Sequence, residues 1–298
     1  MHTRAADAEP RWTTRRLLEW TSGHLTQKGV EDARLAAELL LAHVLEVPRI
    51  KLYMELDRPA SPLELAAFRE LVEKASAHHP VQYLLGEAHF FSLTFKVTPA
   101  TLIPRPSTET LVEHVIHHTR VTPGFVEPRI ADIGTGTGCI AIAIAKNLPN
   151  ARVVATDLSE PALAVARENA ERHGVADRIT FRHGSLLEPL HGELFHYLIS
   201  NPPYIPDAEW EQVAANVKDY EPVSALRAGA DGLDALRPLI AGAGAHLDRP
   251  GQLVLEIAAS QKQAVLELAQ AARGLHQPRV LADLEGHPRM LLADATPA

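Results

Sequence analysis

The chain has 298 residues, is 46% hydrophobic and 22% charged, and carries a net charge of −8 at pH 7. That is the composition of an ordinary globular protein of roughly two domains, and its acidic balance argues against a nonspecific nucleic-acid binder, which needs a basic field to recruit phosphates. The one cysteine, Cys139, rules out an intrachain disulfide and fits a reducing, cytoplasmic setting, and no apolar run approaches the roughly 18 residues of a membrane span.

Met1 to Glu19 holds arginines but also Asp7, Glu9 and Glu19 and no apolar stretch, so neither a secretory signal nor a mitochondrial transit peptide is expected. The first ten residues read as a frayed terminus. From Thr13 to His79 the pattern is helical. Leu17, Leu18 and Leu25 mark a helix over Thr14 to Lys28 with Gly29 as its stop, and Leu35, Leu39, Leu40 and Val44 mark a second over Glu31 to Glu46. Ser61-Pro62-Leu63-Glu64 opens a third with a cap, a first-turn proline and a capping box, and the break is His78-His79-Pro80. This bundle carries no chemistry of its own.

Phe90 to Val97 is aromatic and β-branched and predicts a β-hairpin or extended connector. A helix follows over Thr108 to Thr119. Beyond it, short apolar strands alternate with helices: strands at Arg129–Asp132, Arg152–Thr156, Ile179–Phe181, His196–Ser200 and Gly251–Ile257, then two short terminal strands. That alternation implies an α/β fold with a mainly parallel sheet. The expected organisation is a helical domain over 1–85, a hairpin connector over 86–104 and an α/β domain over 105–298.

Parallel sheets bind ligands at the carboxyl ends of their strands. Gly134-Thr135-Gly136-Thr137-Gly138 lies between the first of these strands and its helix, where glycine lets the backbone approach a ligand. The same triplet also suits a tight strand–helix turn. Asp157 closes the next strand, about 20 residues on, where an acid accepts from ribose hydroxyls; a helix cap before Ser159 and Pro161 is the structural alternative. A dinucleotide turn spaces its glycines Gly-x-Gly-x-x-Gly. Here the third glycine comes one residue early, and Asp132 before the turn suits an ammonium better than a phosphate. A cationic, phosphate-free cofactor, S-adenosyl-L-methionine, fits better.

Asn201-Pro202-Pro203-Tyr204 follows the apolar run Tyr197 to Ser200. A proline-stiffened turn explains the segment structurally. Functionally, the Asn201 carboxamide oxygen and the Pro202 carbonyl are suited to accept both hydrogens of one planar NH2 group, with the Tyr204 ring over its face. An amide nitrogen is a poor nucleophile. Fixing both hydrogens turns its lone pair toward a methyl donor, and positioning then carries much of the reaction. Methyl transfer to nitrogen is the expected chemistry.

The chain resembles the HemK-type family of protein-(glutamine-N5) methyltransferases, in its release-factor branch. The likeness covers most of the chain and rests on Leu102 to Glu109, Asp132 to Gly138, Asp157, Asn201 to Tyr204, Tyr220-Glu221-Pro222, Ala225-Leu226, Gly229, Asp231-Gly232-Leu233 and Leu255-Glu256-Ile257, with Pro80 to Tyr83 leading into Gly86. It implies a Rossmann-like class I methyltransferase domain, S-adenosyl-L-methionine as cofactor, and as acceptor the glutamine of a Gly-Gly-Gln loop in peptide chain release factors, docked with help from the helical domain. Carried over, Gly134 to Gly138 line the methionine part of the cofactor and Asp157 holds the ribose. Asn201 touches cofactor and substrate, Pro202 to Tyr204 frame the glutamine, and Ser185 and Leu186 fall at the adenine pocket. The family pattern has an acid at Ser107, a glycine at Ser92 and an acid at Ser185; the first two read as drift in the connector.

Two rivals share the fold: a glutamine methyltransferase of a ribosomal protein, and an adenine-N6 methyltransferase of nucleic acid, since adenine offers a similar NH2 group. The Arg105 to Glu109 run favours release factors. The charge balance and the lack of a basic groove around Asn201 count against nucleic acid. A non-catalytic binding module of the same fold is countered by the intact Asn201 and Tyr204. The sixteen histidines show no convincing ligand spacing and read as solvated, with no metal expected. Cys139 reads as a small packing residue despite opening a helix. Glu256 fits either a buried cap or a group behind the site.

Overall fold

Helix signals in the first third of the chain are local and agree with one another, and five helices result. They are α1 (Thr14–Gln27), α2 (Ala33–Val44), α3 (Arg49–Met54), α4 (Pro62–Ser76) and α5 (Val81–Leu85) in a computed structural model that describes residues 11–123, 125–283 and 285–297. The expected frayed terminus lies outside the described residues. At the start of α4 the capping box forms as read: Ser61 Oγ accepts from the Glu64 amide at 3.3 Å and Glu64 Oε2 accepts from the Ser61 amide at 2.7 Å. Leu17, Leu18, Leu25, Leu40, Leu41, Leu52, Phe68 and Val72 interlock as the core of this unit. The helices α3 and α5, of six and five residues, are too short to show a 3.6-residue period in sequence.

By its contacts the chain divides into two units, Met1–Gly86 and Glu87–Ala298. The hairpin, β1 (Glu87–Phe90) and β2 (Leu93–Lys96), groups with the second unit. Its two-residue turn, Phe91-Ser92, has φ of +50° and +60°. Both values lie in the left-handed region that tight hairpin turns require. Ser92 holds, with strain, the backbone conformation that a glycine would adopt freely.

The second unit is built on a seven-stranded sheet: β3 (Arg129–Ile133), β4 (Arg152–Asp157), β5 (Ile179–His183), β6 (Phe195–Ser200), β7 (Leu247–Glu256), β8 (Leu275–Ala282) and β9 (Pro288–Ala295). The spatial order is β5-β4-β3-β6-β7-β9-β8, with β9 antiparallel to both its neighbours and the other pairs parallel. Period-2 alternation divides the apolar residues between two cores. Ile130, Val153, Tyr197, Ile199 and Val254 pack with α6 (Glu109–Val121) and α7 (Cys139–Asn147) on one face; Ala131, Ile133, Leu198, Leu253 and Leu255 pack with α10 (Leu236–Ala243) and α11 (Lys262–Ala271) on the other. Between these helix pairs in sequence come α8 (Glu160–Arg172) and the single turn α9 (Ala215–Lys218). Strand order reverses between β3 and β6. Their carboxyl ends, Ile133 and Ser200, are where such a sheet opens a crevice. Among the described residues no helix is long and apolar enough to cross a membrane.

Candidate active site

The glycine turn leaves β3 at that crevice. Gly134, Gly136 and Gly138 have φ of +73°, +54° and +81°. At Gly138 a side chain is excluded on two counts, because a Cβ would also stand 3.0 Å from Ile142 Cδ1 and 3.2 Å from Ala166 Cβ, where α7 and α8 close on each other. At Gly134 and Gly136 a Cβ would meet nothing within 4 Å, so the main chain there borders open space. The Gly134 and Thr135 amides donate to the Thr156 carbonyl, both at 2.8 Å, the Gly136 amide to Asp157 Oδ2 at 2.9 Å and the Gly138 amide to the Thr135 carbonyl at 2.8 Å. A pyrophosphate cradle needs such N–H groups free to face the ligand; this turn uses them to hold its own shape.

The threonines of the turn direct their side chains inward. Thr135 Oγ1 donates to Asp132 Oδ2 at 2.6 Å, and the Ala141 amide donates to the same oxygen at 3.1 Å. Asp132 Oδ1 is buried with no hydrogen-bond partner. Burial pushes the Asp132 carboxyl up to about 7, against the pull of those two donors and with a further push from Asp157. An unpartnered buried acceptor on a carboxylate favours a cationic donor, so the residues present fit a ligand that carries an ammonium and no phosphate.

Asp157 Oδ1 accepts from the Ser159 amide at 2.9 Å while its Oδ2 holds Gly136. The side chain that caps α8 is Ser159, whose Oγ accepts from the Ala162 amide at 3.2 Å. Asp157 is thus not the helix cap, and each of its oxygens keeps a further lone pair. The Gly184 amide donates to the Asp157 carbonyl at 3.0 Å, which brings the loop with Ser185 and Leu186 to the same edge of the sheet. Leu186 has a left-handed φ of +47° and packs against the α10–α11 core.

Asn201 follows β6, whose last residue Ser200 donates through Oγ to the Ile133 carbonyl at 2.6 Å. Asn201 Nδ2 donates to Thr108 Oγ1 at 3.0 Å. With Tyr204 it lines a cavity of about 190 Å³ shared with Leu102, Arg105, Ile205, Val217, Ala225 and Leu226. The Pro202 to Tyr204 segment is fixed from behind. The buried Gln261 Nε2 donates to the Tyr204 carbonyl at 3.0 Å and the Gly232 carbonyl at 2.8 Å, and Ile205 exchanges main-chain hydrogen bonds with Leu226 and Ala228. Burial, with a smaller push from Glu256, raises the Tyr204 phenol above its ordinary value, so it stays neutral near pH 7.

Further side chains support the site from behind. Asn169, buried in α8, donates to the Thr137 and Lys96 carbonyls and accepts from the Lys96 amide, which ties the glycine turn to the hairpin. Glu221 accepts from the Ile103 amide at 3.0 Å and from Arg105, which sets the wall of the cavity. Glu256 accepts from Ser107 and Thr108. Ser107 is thus a partner of a buried carboxylate in this chain rather than connector drift. Nothing in local sequence marks these contacts, which span 32 to 149 positions. The histidines are not uniformly solvated either. His114 meets Gln252 and half-buried His118 meets Tyr197, and burial lowers the pKa of both rings. Cys139 packs in the core, its thiol pushed up to about 12 by burial, which outweighs its place at a helix start.

Fold and site together define an S-adenosylmethionine-dependent methyltransferase, and the family described as methyltransferase small domain matches residues 106–218. The helical unit matches the PrmC N-terminal domain over residues 16–86. The release factor glutamine methyltransferase of Geobacter sulfurreducens is 46% identical over 255 residues, 86% of this chain and 87% of that protein. That of Moorella thermoacetica is 43% identical over 281 residues, 94% of this chain and 98% of that protein. The chain belongs to the release factor glutamine methyltransferase family. Among solved structures it shares its fold with the human METTL16 catalytic domain in complex with MAT2A 3'UTR hairpin 1, at a TM-score of 0.56 and 16% identity over 99% of this chain and 95% of that one.

Proposed function

We propose that the protein transfers a methyl group to the side-chain N5 of the glutamine in the Gly-Gly-Gln motif of peptide chain release factors, in the cytoplasm. When bound, S-adenosyl-L-methionine supplies the activated methyl group. Gly134 to Gly138 and Asp132 hold its methionine end, Asp157 its ribose, and Ser185 and Leu186 border its adenine. Asn201 Oδ1 and the Pro202 carbonyl accept the two hydrogens of the glutamine amide, and Pro203 and Tyr204 frame its plane. Positioning of the nitrogen is the contribution of these residues. The Tyr204 phenol is held neutral and both Glu256 oxygens already accept from hydroxyls, so neither of these two groups is placed to take a proton first. The helical unit, residues 1–85, is assigned to docking the release factor, the hairpin region 86–104 to connection and residues 105–298 to the chemistry.

The observation that carries this reading is the Asn201 carboxamide, fixed through its nitrogen and lining a cavity together with Tyr204. The experiment combines the protein, a release factor and isotopically labelled cofactor, and maps the label by mass spectrometry. Label on the Gly-Gly-Gln glutamine, lost in Asn201→Ala with cofactor affinity largely kept, is the expected result. Label on a ribosomal protein or on adenine of added nucleic acid, with none on the release factor, would overturn it.

A further inference from the structure

Glu256 ends β7, is fully buried, and has no part in the clamp described above. Each of its carboxylate oxygens is met by a hydroxyl: Ser107 Oγ donates to Oε1 at 3.1 Å and Thr108 Oγ1 donates to Oε2 at 2.6 Å. A threonine hydroxyl has one proton and an ionised carboxylate has none. With its proton committed to Glu256, the Thr108 oxygen faces any other neighbour only as an acceptor. That neighbour is Asn201 Nδ2, 3.0 Å away. The opposite turn of the Asn201 amide would set its oxygen against the Thr108 oxygen, acceptor on acceptor, in a place that water does not reach, since Thr108 is 2% exposed.

The geometry points to Glu256 and Thr108 as positioning residues that fix which end of the Asn201 carboxamide faces the cavity, and so select a guest that donates from a planar NH2 group. This deepens the reading of Asn201 as the clamp and rests on it. The relay has a direction. With Glu256 ionised, donation runs from Asn201 to Thr108 to Glu256 and leaves Asn201 Oδ1 to receive the guest. With Glu256 protonated it can run the other way, from Glu256 to Thr108 to Asn201 Oδ1, and the Asn201 NH2 then opposes the guest's NH2. Burial raises the Glu256 carboxyl; the Ser107 and Thr108 hydroxyls, the Arg289 guanidinium on β9 and Arg105 before α6 pull it back toward the ionised form. The Tyr204 phenol also senses Glu256.

The test is steady-state methylation of release factor by Thr108→Val, which keeps the shape and removes the hydroxyl, and by Thr108→Ser, which keeps the hydroxyl. Thr108→Val is expected to lower kcat about ten- to a hundredfold while KM for the release factor and the affinity for S-adenosylhomocysteine stay within about threefold, and Thr108→Ser to recover most of the loss. The acid limb of the kcat profile, where Glu256 takes up its proton, should be present in the wild type and absent in Thr108→Val. Thr108→Ala, which removes the same hydroxyl from a smaller side chain, repeats the comparison if the valine variant does not fold. Near-wild-type kcat in the hydroxyl-free variants, with Asn201→Ala inactive, would overturn the relay and leave the clamp standing; activity in Asn201→Ala would overturn the clamp itself.

Discussion

The Asp157 carboxylate accepts a hydrogen bond from the Gly136 amide at 2.9 Å, so the acid that ends β4 shapes the glycine turn that follows β3. One side chain therefore sets the turn and keeps lone pairs that the proposed ribose contact would use. On the proposed function its contribution to cofactor affinity has two parts, a preorganised loop and a direct acceptor.

Asp157→Ala removes both parts. Affinity for S-adenosylhomocysteine, measured by calorimetry, should fall by about tenfold to a thousandfold, as expected for one or two charge-assisted hydrogen bonds. An unchanged dissociation constant would remove Asp157 from the cofactor site.

Gly232 has a φ of +75°, and a Cβ there would lie 2.5 Å from the Tyr204 carbonyl oxygen and 2.7 Å from Gln261 Nε2. Gly232→Ala should therefore displace the Asn201 to Tyr204 segment and cost about 1–3 kcal/mol of stability. Denaturant unfolding and turnover should both show the loss, because the same atoms hold the segment in place.

Ser92→Gly works in the other direction. It relieves a left-handed serine in a two-residue turn and should stabilise the protein by about 1 kcal/mol. Thermal melting would show a small upward shift, with methylation rates unchanged.

The pH dependence of the ligand-free protein should carry the signature of Asp132. Its carboxyl lies at about 7 in the folded protein against an ordinary 3.8, because burial disfavours the charge. The folded state then holds a proton that the unfolded chain has released. The contribution is complete below about pH 4 and is lost as pH rises through about 7, by an amount on the order of a few kcal/mol. Asp132→Asn should flatten that slope in unfolding experiments between pH 4 and 8. A bound ammonium favours the ionised carboxylate, so a ligand of that kind should also reduce the slope in the wild type.

Much of this molecule is legible in local sequence. The capping box of α4, the two periods that separate helices from strands, the glycine turn before α7 and the Asn201 to Tyr204 segment are all short-range signals, because hydrogen bonding within a turn and burial of one face are decided by neighbours in the chain. The short helices α3 and α5 were missed because one turn is too brief to show a period. Ser107 was not legible in the same way, because its partner is a carboxylate 149 positions away.

By itself the sequence determined the class of fold, the glycine turn and the Asn201 to Tyr204 segment proposed to hold a planar NH2 group. Only the tertiary structure decided how the Asn201 carboxamide is held. The orientation of the Asn201 amide depends on Thr108, and the direction of the Thr108 hydroxyl depends on Glu256, residues that meet because β6 and β7 lie side by side and the start of α6 packs across their ends. A carboxamide has a donor end and an acceptor end of nearly the same shape. Spacing along a chain does not distinguish them; the neighbours brought together by folding do.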